Sequence, residues 1–248
     1  MNNKPKPNKI SMFIRSLLFG IIVPIFTVFY SLLCVAVLPL PLKYRYPVTT
    51  GWTKSIVWLL KTICKIDYHV EGFENIPQDR CGIVLSKHQS AWETFYLPNQ
   101  FHQTAIILKR ELNWVPFFGW GLAATSPIAI NRSDRSSAMS QVMTKGKKCL
   151  EEGRWILVFP EGTRIAPGEI GKYRLGGARL AVDAGGYPII PVAHNAGRFW
   201  PRRKFIKKPG TVQVRIGPVI ETKGRSAEEV MAQAKDWIEK KMLEIDGE

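Results

Sequence analysis

A histidine and a carboxylate five residues apart could together perform proton transfer. They lie in the segment Lys87-His88-Gln89-Ser90-Ala91-Trp92-Glu93, directly after the apolar run Ile83-Val84-Leu85. On a regular helix the side chains of His88 and Glu93 would be roughly 140° apart, so they face each other only if His88 precedes the first helical turn. The carboxylate could then hold one imidazole nitrogen while the other nitrogen accepts a proton from a hydroxyl. This spacing predicts a general base.

Two alternatives stay open at this point. Ser90 and Glu93 also match the two ends of a capping box, in which Glu93 only accepts a hydrogen bond from the Ser90 backbone N–H. A second histidine, His194, follows another apolar run and is a rival base. No carboxylate lies close to it in sequence, so we expect His194 to have a structural role.

A second motif carries groups that suit a phosphate. The strand-like run Ile156-Leu157-Val158-Phe159 ends in Pro160-Glu161-Gly162-Thr163-Arg164. Proline ends the strand ladder, and glycine allows the backbone to approach a ligand closely. Amide, hydroxyl and guanidinium donors then lie near one another, as a phosphate requires. An ordinary turn is the alternative.

The net charge indicates an anionic partner. The chain of 248 residues has 35 Lys and Arg against 20 Asp and Glu, a formal charge of +15. Nucleic acid, acidic lipid and phosphorylated metabolites all fit this charge. The four cysteines are scattered, which fits a reduced compartment. The histidines have no metal-ligand spacing, so we expect neither a metal site nor a bound cofactor.

An apolar segment near the N-terminus predicts attachment to a membrane. Residues 16–42 contain no charged residue and are bracketed by Arg15 and Lys43, a run longer than the ~20 residues needed to span a bilayer. Pro24 within it, and Pro39 and Pro41 at its end, are compatible with a kinked span or a re-entrant hairpin. Basic residues on both sides favour entry and exit by the cytoplasmic face.

We divide the chain into three parts. Residues 1–15 are expected to form a basic disordered tail, and residues 16–66 membrane-attachment helices. Within the latter, residues 52–66 have an amphipathic pattern that suits either a membrane interface or a protein core. Residues 67–248 predict an α/β domain with a mixed, largely parallel sheet flanked by helices. Its predicted strands are 82–86, 104–108, 126–130, 155–159, 187–193 and 211–216, and its main helices are 136–152, 176–184 and 226–243.

A cluster of basic and aromatic residues separates the last two predicted strands. This combination suits a membrane surface or nucleic acid, and the apolar segment favours the membrane. We therefore expect no nucleic-acid partner. The cluster comprises Arg198, Phe199, Trp200, Arg202, Arg203, Lys204, Phe205, Lys207 and Lys208.

The two motifs together, about 70 residues apart within one compact domain, resemble the glycerophospholipid acyltransferase family. The resemblance is strongest to the bacterial enzymes that acylate 1-acyl-sn-glycerol-3-phosphate, and it covers roughly residues 70–220. Two further blocks support it, one from Lys109-Arg110-Glu111-Leu112 to Ile130-Asn131-Arg132 and the other Pro188-Ile189-Ile190-Pro191-Val192-Ala193. The family usually has Asp where this chain has Glu93, which keeps the charge on a longer side chain.

The resemblance implies transfer of a fatty acyl group from acyl-CoA or acyl carrier protein to the free hydroxyl of a lysophospholipid. His88 would be the base and Glu93 its partner. The implied location is the cytoplasmic side of a bacterial inner membrane, and the sequence leaves the oligomeric state unknown. The residues implied to bind the acceptor phosphate are Lys109, Arg110, Glu161, Gly162, Thr163, Arg164, more weakly Arg174 and, as the weakest candidate, Arg132.

Two other functions remain open on the sequence. One is acylation of a different lysolipid, such as a lyso-ornithine lipid, which would not need Arg164. The other is a membrane-tethered basic module that binds anionic lipid or nucleic acid without catalysis. Such a module would not need His88, Glu93 and the Pro-Glu-Gly-Thr-Arg turn in one chain.

Overall fold

The sheet that carries both motifs has seven strands in the order β1-β7-β6-β2-β5-β3-β4. The structure is a computed structural model that describes residues 8–131 and 135–247. All neighbouring pairs are parallel except β6 and β7, which confirms the predicted mixed, largely parallel sheet. The strands are β1 Ile66–Glu71, β2 Ile83–Ser86, β3 Ala105–Lys109, β4 Ile128–Ile130, β5 Ile156–Val158, β6 Ile189–His194 and β7 Gly210–Ile216.

Strand order explains why the two motifs meet. β2 and β5 are parallel neighbours near the centre of the sheet, so their carboxyl ends lie at the same edge. His88 follows the end of β2 and the Pro160 turn follows the end of β5. Open α/β sheets bind their ligands at this edge.

Helices cover the sheet at the predicted places. They are α1 Lys9–Ala36, α2 Leu42–Thr62, α3 Trp92–Tyr96, α4 Phe118–Ala123, α5 Arg135–Glu151, α6 Gly176–Asp183 and α7 Ala227–Gly247. The predicted helices 136–152, 176–184 and 226–243 match α5, α6 and α7 to within a few residues. β1 was not predicted. The predicted amphipathic helix 52–66 overlaps the second half of a longer α2, which ends at Thr62.

The expected disordered tail was wrong for residues 9–15, which form the first turns of α1. Asn8 caps this helix, because its side-chain oxygen accepts a hydrogen bond from the Ile10 backbone N–H at 2.9 Å. The apolar pattern also begins before Arg15, with Ile10, Phe13 and Ile14. A cap followed by apolar residues at helical spacing outweighs the few basic residues.

α1 and α2 form a hairpin whose turn contains Pro39 and Pro41. α1 runs for 28 residues through Pro24 without ending there. It is long and apolar enough to cross a membrane, and most of its large side chains are exposed, whereas a helix of a soluble core would bury them. These features indicate membrane association. The exposed apolar side chains of α1 include Ile10, Phe13, Ile14, Leu17, Leu18, Ile21, Ile25, Phe29, Leu32 and Leu33.

The helical hairpin and the α/β domain share one core. Ile56 and Leu60 of α2 are completely buried, and with Phe19 of α1 they belong to the same hydrophobic cluster as the central strands. The amphipathic face of α2 is therefore directed at protein. The expected boundary at residue 66 separates secondary-structure elements but does not separate two packing units.

Candidate active site

Glu93 contacts His88 with the predicted geometry. The Glu93 Oε1 atom lies 2.9 Å from His88 Nδ1. The same oxygen accepts hydrogen bonds from the backbone N–H groups of Gln89 at 2.9 Å and Ser90 at 2.8 Å. The bond from Ser90 is the one a capping box requires. One carboxylate oxygen thus closes the turn before α3 and holds the imidazole, so the capping contact and the His88–Glu93 contact are both present.

Glu93 is fully buried, and its ionised form is favoured. Burial alone would raise the pKa of the Glu93 carboxyl. The imidazoles of His194 and His88 and the Ser90 N–H outweigh this effect and hold the pKa below its usual range. A carboxylate here requires His88 Nδ1 to carry the hydrogen, which leaves the lone pair on Nε2. The His88 side chain is 14% exposed and stacks on Phe159, with ring centroids 4.1 Å apart.

The main chain around His88 is held on both sides. In the peptide unit before it, Lys87 C=O is 2.8 Å from His194 Nε2 and the His88 N–H donates to Glu161 Oε2 at 2.9 Å. In the unit after it, His88 C=O accepts from the Ile165 N–H at 2.8 Å, and the Gln89 N–H donates to Glu93. The imidazole therefore projects from a backbone fixed by four hydrogen bonds.

The second motif forms a tight turn that presses against the first. The Gly162 N–H donates to Phe159 C=O at 3.0 Å. Gly162 has φ +68°, in the left-handed region that glycine enters without strain. A Cβ atom at this position would lie 3.0 Å from Arg174 Cζ, so the glycine also leaves room for a guanidinium.

The structure corrects the expected role of Glu161 as a phosphate-binding residue. Its side chain is buried and both of its oxygens are engaged inside the protein, Oε1 with Lys87 Nζ at 2.8 Å and Oε2 with the His88 N–H. A carboxylate would also repel a phosphate. Glu161 instead holds the backbone that carries the histidine.

His88 opens onto a cavity of about 480 Å³ with a mostly apolar lining. Its polar lining includes His88, Lys109 and Arg164, and much of its apolar lining comes from α1, α2 and α4. Such a shape accommodates a long apolar chain whose reactive end lies next to the imidazole. The interior lining includes Tyr30, Cys34, Thr50, Trp52, Ile106, Phe118 and Leu122.

The expected phosphate-binding residues are only partly brought together. Lys109 and Arg164 line the cavity together with His88, and Arg174 packs against Gly162. Arg110 and Thr163 are exposed and do not line the cavity; Arg110 lies over the ring of Trp114 instead. The weak candidate Arg132 lies outside the described residues.

His194 has no access to the cavity. It is completely buried, its Nε2 lies 2.8 Å from Lys87 C=O and its Nδ1 accepts from the Ala196 N–H at 3.3 Å. These partners fix a neutral imidazole with the hydrogen on Nε2. Burial lowers its pKa, although the Glu93 carboxylate opposes that effect. A buried imidazole with both nitrogens engaged holds the backbone before His88.

Sequence analysis missed a buried lysine beside the histidine. Lys87 is 1% exposed, and its Nζ contacts Glu161, the Glu169 backbone carbonyl and Glu239 of α7. Tyr173 donates to the same Glu239 oxygen at 2.7 Å. The only signal in the sequence is the charged residue between two buried stretches. Its partners are too distant along the chain to be recognised.

Within the described residues, no group of three or more His, Cys, Asp or Glu side chains is arranged to hold a metal ion.

The basic aromatic cluster lies against the N-terminal half of α1. The Lys207 N–H donates to Ser16 Oγ at 2.9 Å, and the rings of Phe205 and Phe13 are 5.8 Å apart. Arg202, Arg203 and Lys204 are exposed.

Comparisons with known proteins point to one family. The model of the acyltransferase family matches residues 67–195. A 1-acyl-sn-glycerol-3-phosphate acyltransferase from Pseudomonas aeruginosa is 47% identical over 212 residues, which cover 84% of this chain and 81% of that protein. One from Borreliella burgdorferi is 31% identical over 71% of this chain and 72% of its own length.

A solved structure extends the match to almost the whole chain. It is the crystal structure of the 1-acyl-sn-glycerophosphate acyltransferase PlsC from Thermotoga maritima, with a TM-score of 0.82 and 27% identity over 97% of this chain and 98% of that one. The chain is therefore an enzyme of the acyltransferase family. Within that family it is similar to the bacterial proteins that carry the name 1-acyl-sn-glycerol-3-phosphate acyltransferase, which confirms the resemblance carried by the two motifs.

Proposed function

We propose that this protein transfers a fatty acyl group from acyl-CoA or acyl carrier protein to the free hydroxyl of 1-acyl-sn-glycerol-3-phosphate, giving phosphatidic acid. The observation that carries the proposal is the 2.9 Å contact between buried Glu93 and His88, which lines a mostly apolar cavity. The similarity to bacterial proteins named for this reaction supports the choice of acceptor.

In the proposed mechanism His88 is the general base. Its Nε2 accepts the proton of the acceptor hydroxyl as the hydroxyl oxygen attacks the thioester carbonyl carbon, and Glu93 stabilises the imidazolium that forms. The C–S bond then breaks, the new ester remains, and the imidazolium returns its proton to the departing thiolate. No acyl-enzyme is needed, because the thioester is already activated.

The lining of the cavity suggests how the two substrates are bound. Lys109 and Arg164, which line the cavity together with His88, would bind the acceptor phosphate by charge-assisted hydrogen bonds, and Arg174 is close enough to Gly162 to add to the same positive region. The acyl chain of the donor would occupy the apolar interior. Its thioester would then lie at the polar end, next to His88 and the acceptor.

We further propose that the enzyme works from the cytoplasmic side of a bacterial inner membrane. The exposed apolar face of α1 would enter the bilayer, and the basic aromatic cluster would lie on anionic headgroups, each nearby Lys or Arg contributing about 1 kcal/mol. The acceptor and the product reside in the bilayer. The thioester donor is water-soluble and cytosolic, which sets the proposed side.

The test is acyl transfer by the purified full-length protein in nanodiscs, from a labelled acyl-CoA or acyl carrier protein, with wild type and His88→Ala compared. We expect labelled phosphatidic acid from wild type and near-complete loss in His88→Ala. Transfer to a phosphate-free lyso-ornithine lipid, with none to 1-acyl-sn-glycerol-3-phosphate, would replace the proposed acceptor. Transfer that is unchanged in His88→Ala would refute the mechanism, and binding of anionic vesicles without transfer would indicate a binding module.

A further inference from the structure

A buried charged cluster connects the C-terminal helix to the catalytic histidine. The Lys87 ammonium donates to Glu161 Oε1 at 2.8 Å, to Glu239 Oε1 at 2.9 Å and to the Glu169 backbone carbonyl at 3.3 Å. An ammonium has three hydrogens and no other donor, so these three acceptors satisfy it completely. The side chains of Lys87 and Glu161 are 1% and 0% exposed, and that of Glu239 is 15% exposed.

Burying these charged groups costs folding free energy, so their presence requires an explanation. A buried lysine loses the hydration of its charge, and replacing such ion pairs by apolar side chains often leaves a protein equally stable or more stable. A lysine between buried strand residues and the reactive histidine is thus poorly explained by stability alone. The cluster does make one hydrogen bond that apolar side chains could not make, because Glu161 has a second carboxylate oxygen.

That second oxygen accepts the N–H of His88 at 2.9 Å. Lys87 fixes one oxygen of Glu161, so the plane of the carboxylate is set, and the other oxygen is aimed at the peptide unit that carries the imidazole. Glu239 in turn sets the position of the Lys87 ammonium, and Tyr173 holds Glu239 at 2.7 Å. The order of contacts is Tyr173 and Glu239, then Lys87, then Glu161, and finally the main chain of His88.

We infer that Lys87 and Glu239 are positioning residues for the acyl transfer reaction, and that α7 is therefore part of the catalytic apparatus. The inference rests on the proposed function. Neither residue lines the catalytic cavity, so neither is assigned contact with a substrate. Their effect is to keep His88 Nε2 at the distance and angle from the acceptor hydroxyl that proton transfer requires, since displacements of about 1 Å can reduce a rate on the order of 10²-fold.

The experiment compares Lys87→Met, Glu239→Ala and the double variant in the acyl transfer assay, with Glu244→Ala as the matched control. Glu244 lies on the same helix, pairs with Lys241 at 2.6 Å and is exposed. We expect kcat to fall about tenfold in Glu239→Ala and on the order of 10²-fold in Lys87→Met, with KM for both substrates within about threefold of wild type. The control should match wild type.

The double variant tests whether the two residues act through one route. If Glu239 acts only through Lys87, the double variant should lose no more kcat than Lys87→Met alone, whereas independent effects would multiply. Elution volume and melting temperature in detergent establish folding, and Glu239→Ala is decisive if Lys87→Met fails to fold. Equal kcat in Glu239→Ala and Glu244→Ala, losses confined to KM, or multiplying losses would each overturn the inference.

The same assay separates this inference from the proposed function. Active wild type and inactive His88→Ala support the proposed function whatever Glu239→Ala does. Inactive wild type on every lysolipid overturns the proposed function and this inference with it.

Discussion

Replacement of Glu93 by glutamine separates the two tasks that one oxygen performs. The substitution keeps the shape of the side chain and removes its charge. Glu93 Oε1 accepts from His88 Nδ1 and from two backbone N–H groups, and the amide oxygen of glutamine can occupy the same place. Its NH2 group would then replace Oε2, a buried atom without a hydrogen-bond partner in the described part of the chain.

In Glu93→Gln the loss of stability and the loss of reaction rate should differ in size. Two buried amide hydrogens without acceptors cost about 1–3 kcal/mol of folding free energy, which a domain of this size tolerates. The rate should fall more, because the imidazolium formed in the reaction loses its buried counter-charge. Removal of such a carboxylate costs on the order of 10²–10⁴-fold in kcat, or about 3–5 kcal/mol of transition-state free energy.

Thioester cleavage can be followed continuously by a thiol reagent in the presence of acceptor, and stability by the melting temperature of the same sample. We expect Glu93→Gln to remain folded with kcat reduced at least 10²-fold, and Glu74→Gln, at an exposed position, to match wild type. A folded Glu93→Gln protein with kcat within about tenfold of wild type would refute the dyad. Glu93 would then serve only to cap α3.

Three further predictions concern the acceptor, the cavity and pH. Arg164→Ala should raise KM for a phosphate-bearing acceptor by about 10–100-fold, the equivalent of one charged hydrogen bond, and steady-state kinetics with phosphate-bearing and phosphate-free acceptors would show whether the loss is specific. Gly121→Leu should reduce transfer of long acyl chains more than of short ones, because Gly121 lines the cavity. Gly121→Ala is the control, since its Cβ would meet Cys34 Sγ at an ordinary 3.8 Å. Equal loss of transfer for all chain lengths would contradict the placement of the acyl chain. Burial lowers the pKa of His194. The stability that its neutral form contributes is therefore present above about pH 6.5 and is lost as pH falls below that value, by up to about 1.4 kcal/mol per pH unit. Melting temperatures between pH 7.5 and 5.5 should fall more steeply in wild type than in His194→Gln, and parallel slopes would contradict this prediction.

The sequence predicted the parts of the fold that repeat a local pattern. Five of the six predicted strands have continuous apolar runs because they are buried in the sheet, whereas β7 alternates apolar residues with Gln213 and Arg215. All six positions match the structure to within two residues. β1 was missed because its residues Asp67, His69 and Glu71 interrupt the apolar pattern, and Ile66 is its only buried residue. β4, at the other edge of the sheet, was found because Ile128, Ala129 and Ile130 are all apolar.

The candidate site was predictable where its groups are close in sequence. The spacing of His88 and Glu93 predicted their contact because a single turn connects them. The orientation of Glu161 was not predictable, because it depends on Lys87 and Glu239, which are separated by most of the domain and meet only when α7 packs on the sheet. The start of α1 was missed for a different reason, since one cap residue outweighed the composition of a basic segment.

The cavity is lined both by the N-terminal helices and by the α/β domain, which the sequence would divide into two parts. Tyr30 and Cys34 of α1 and Thr50 and Trp52 of α2 form one side of the space that opens at His88. A water-soluble version made by starting the chain at β1 would therefore do more than detach the enzyme from its membrane. It would open the binding space along its length and remove Phe19, Ile56 and Leu60 from the hydrophobic core that they share with the sheet. On the proposed function, the helices that would attach the enzyme to the membrane are also part of the wall of the cavity that would hold the acyl chain.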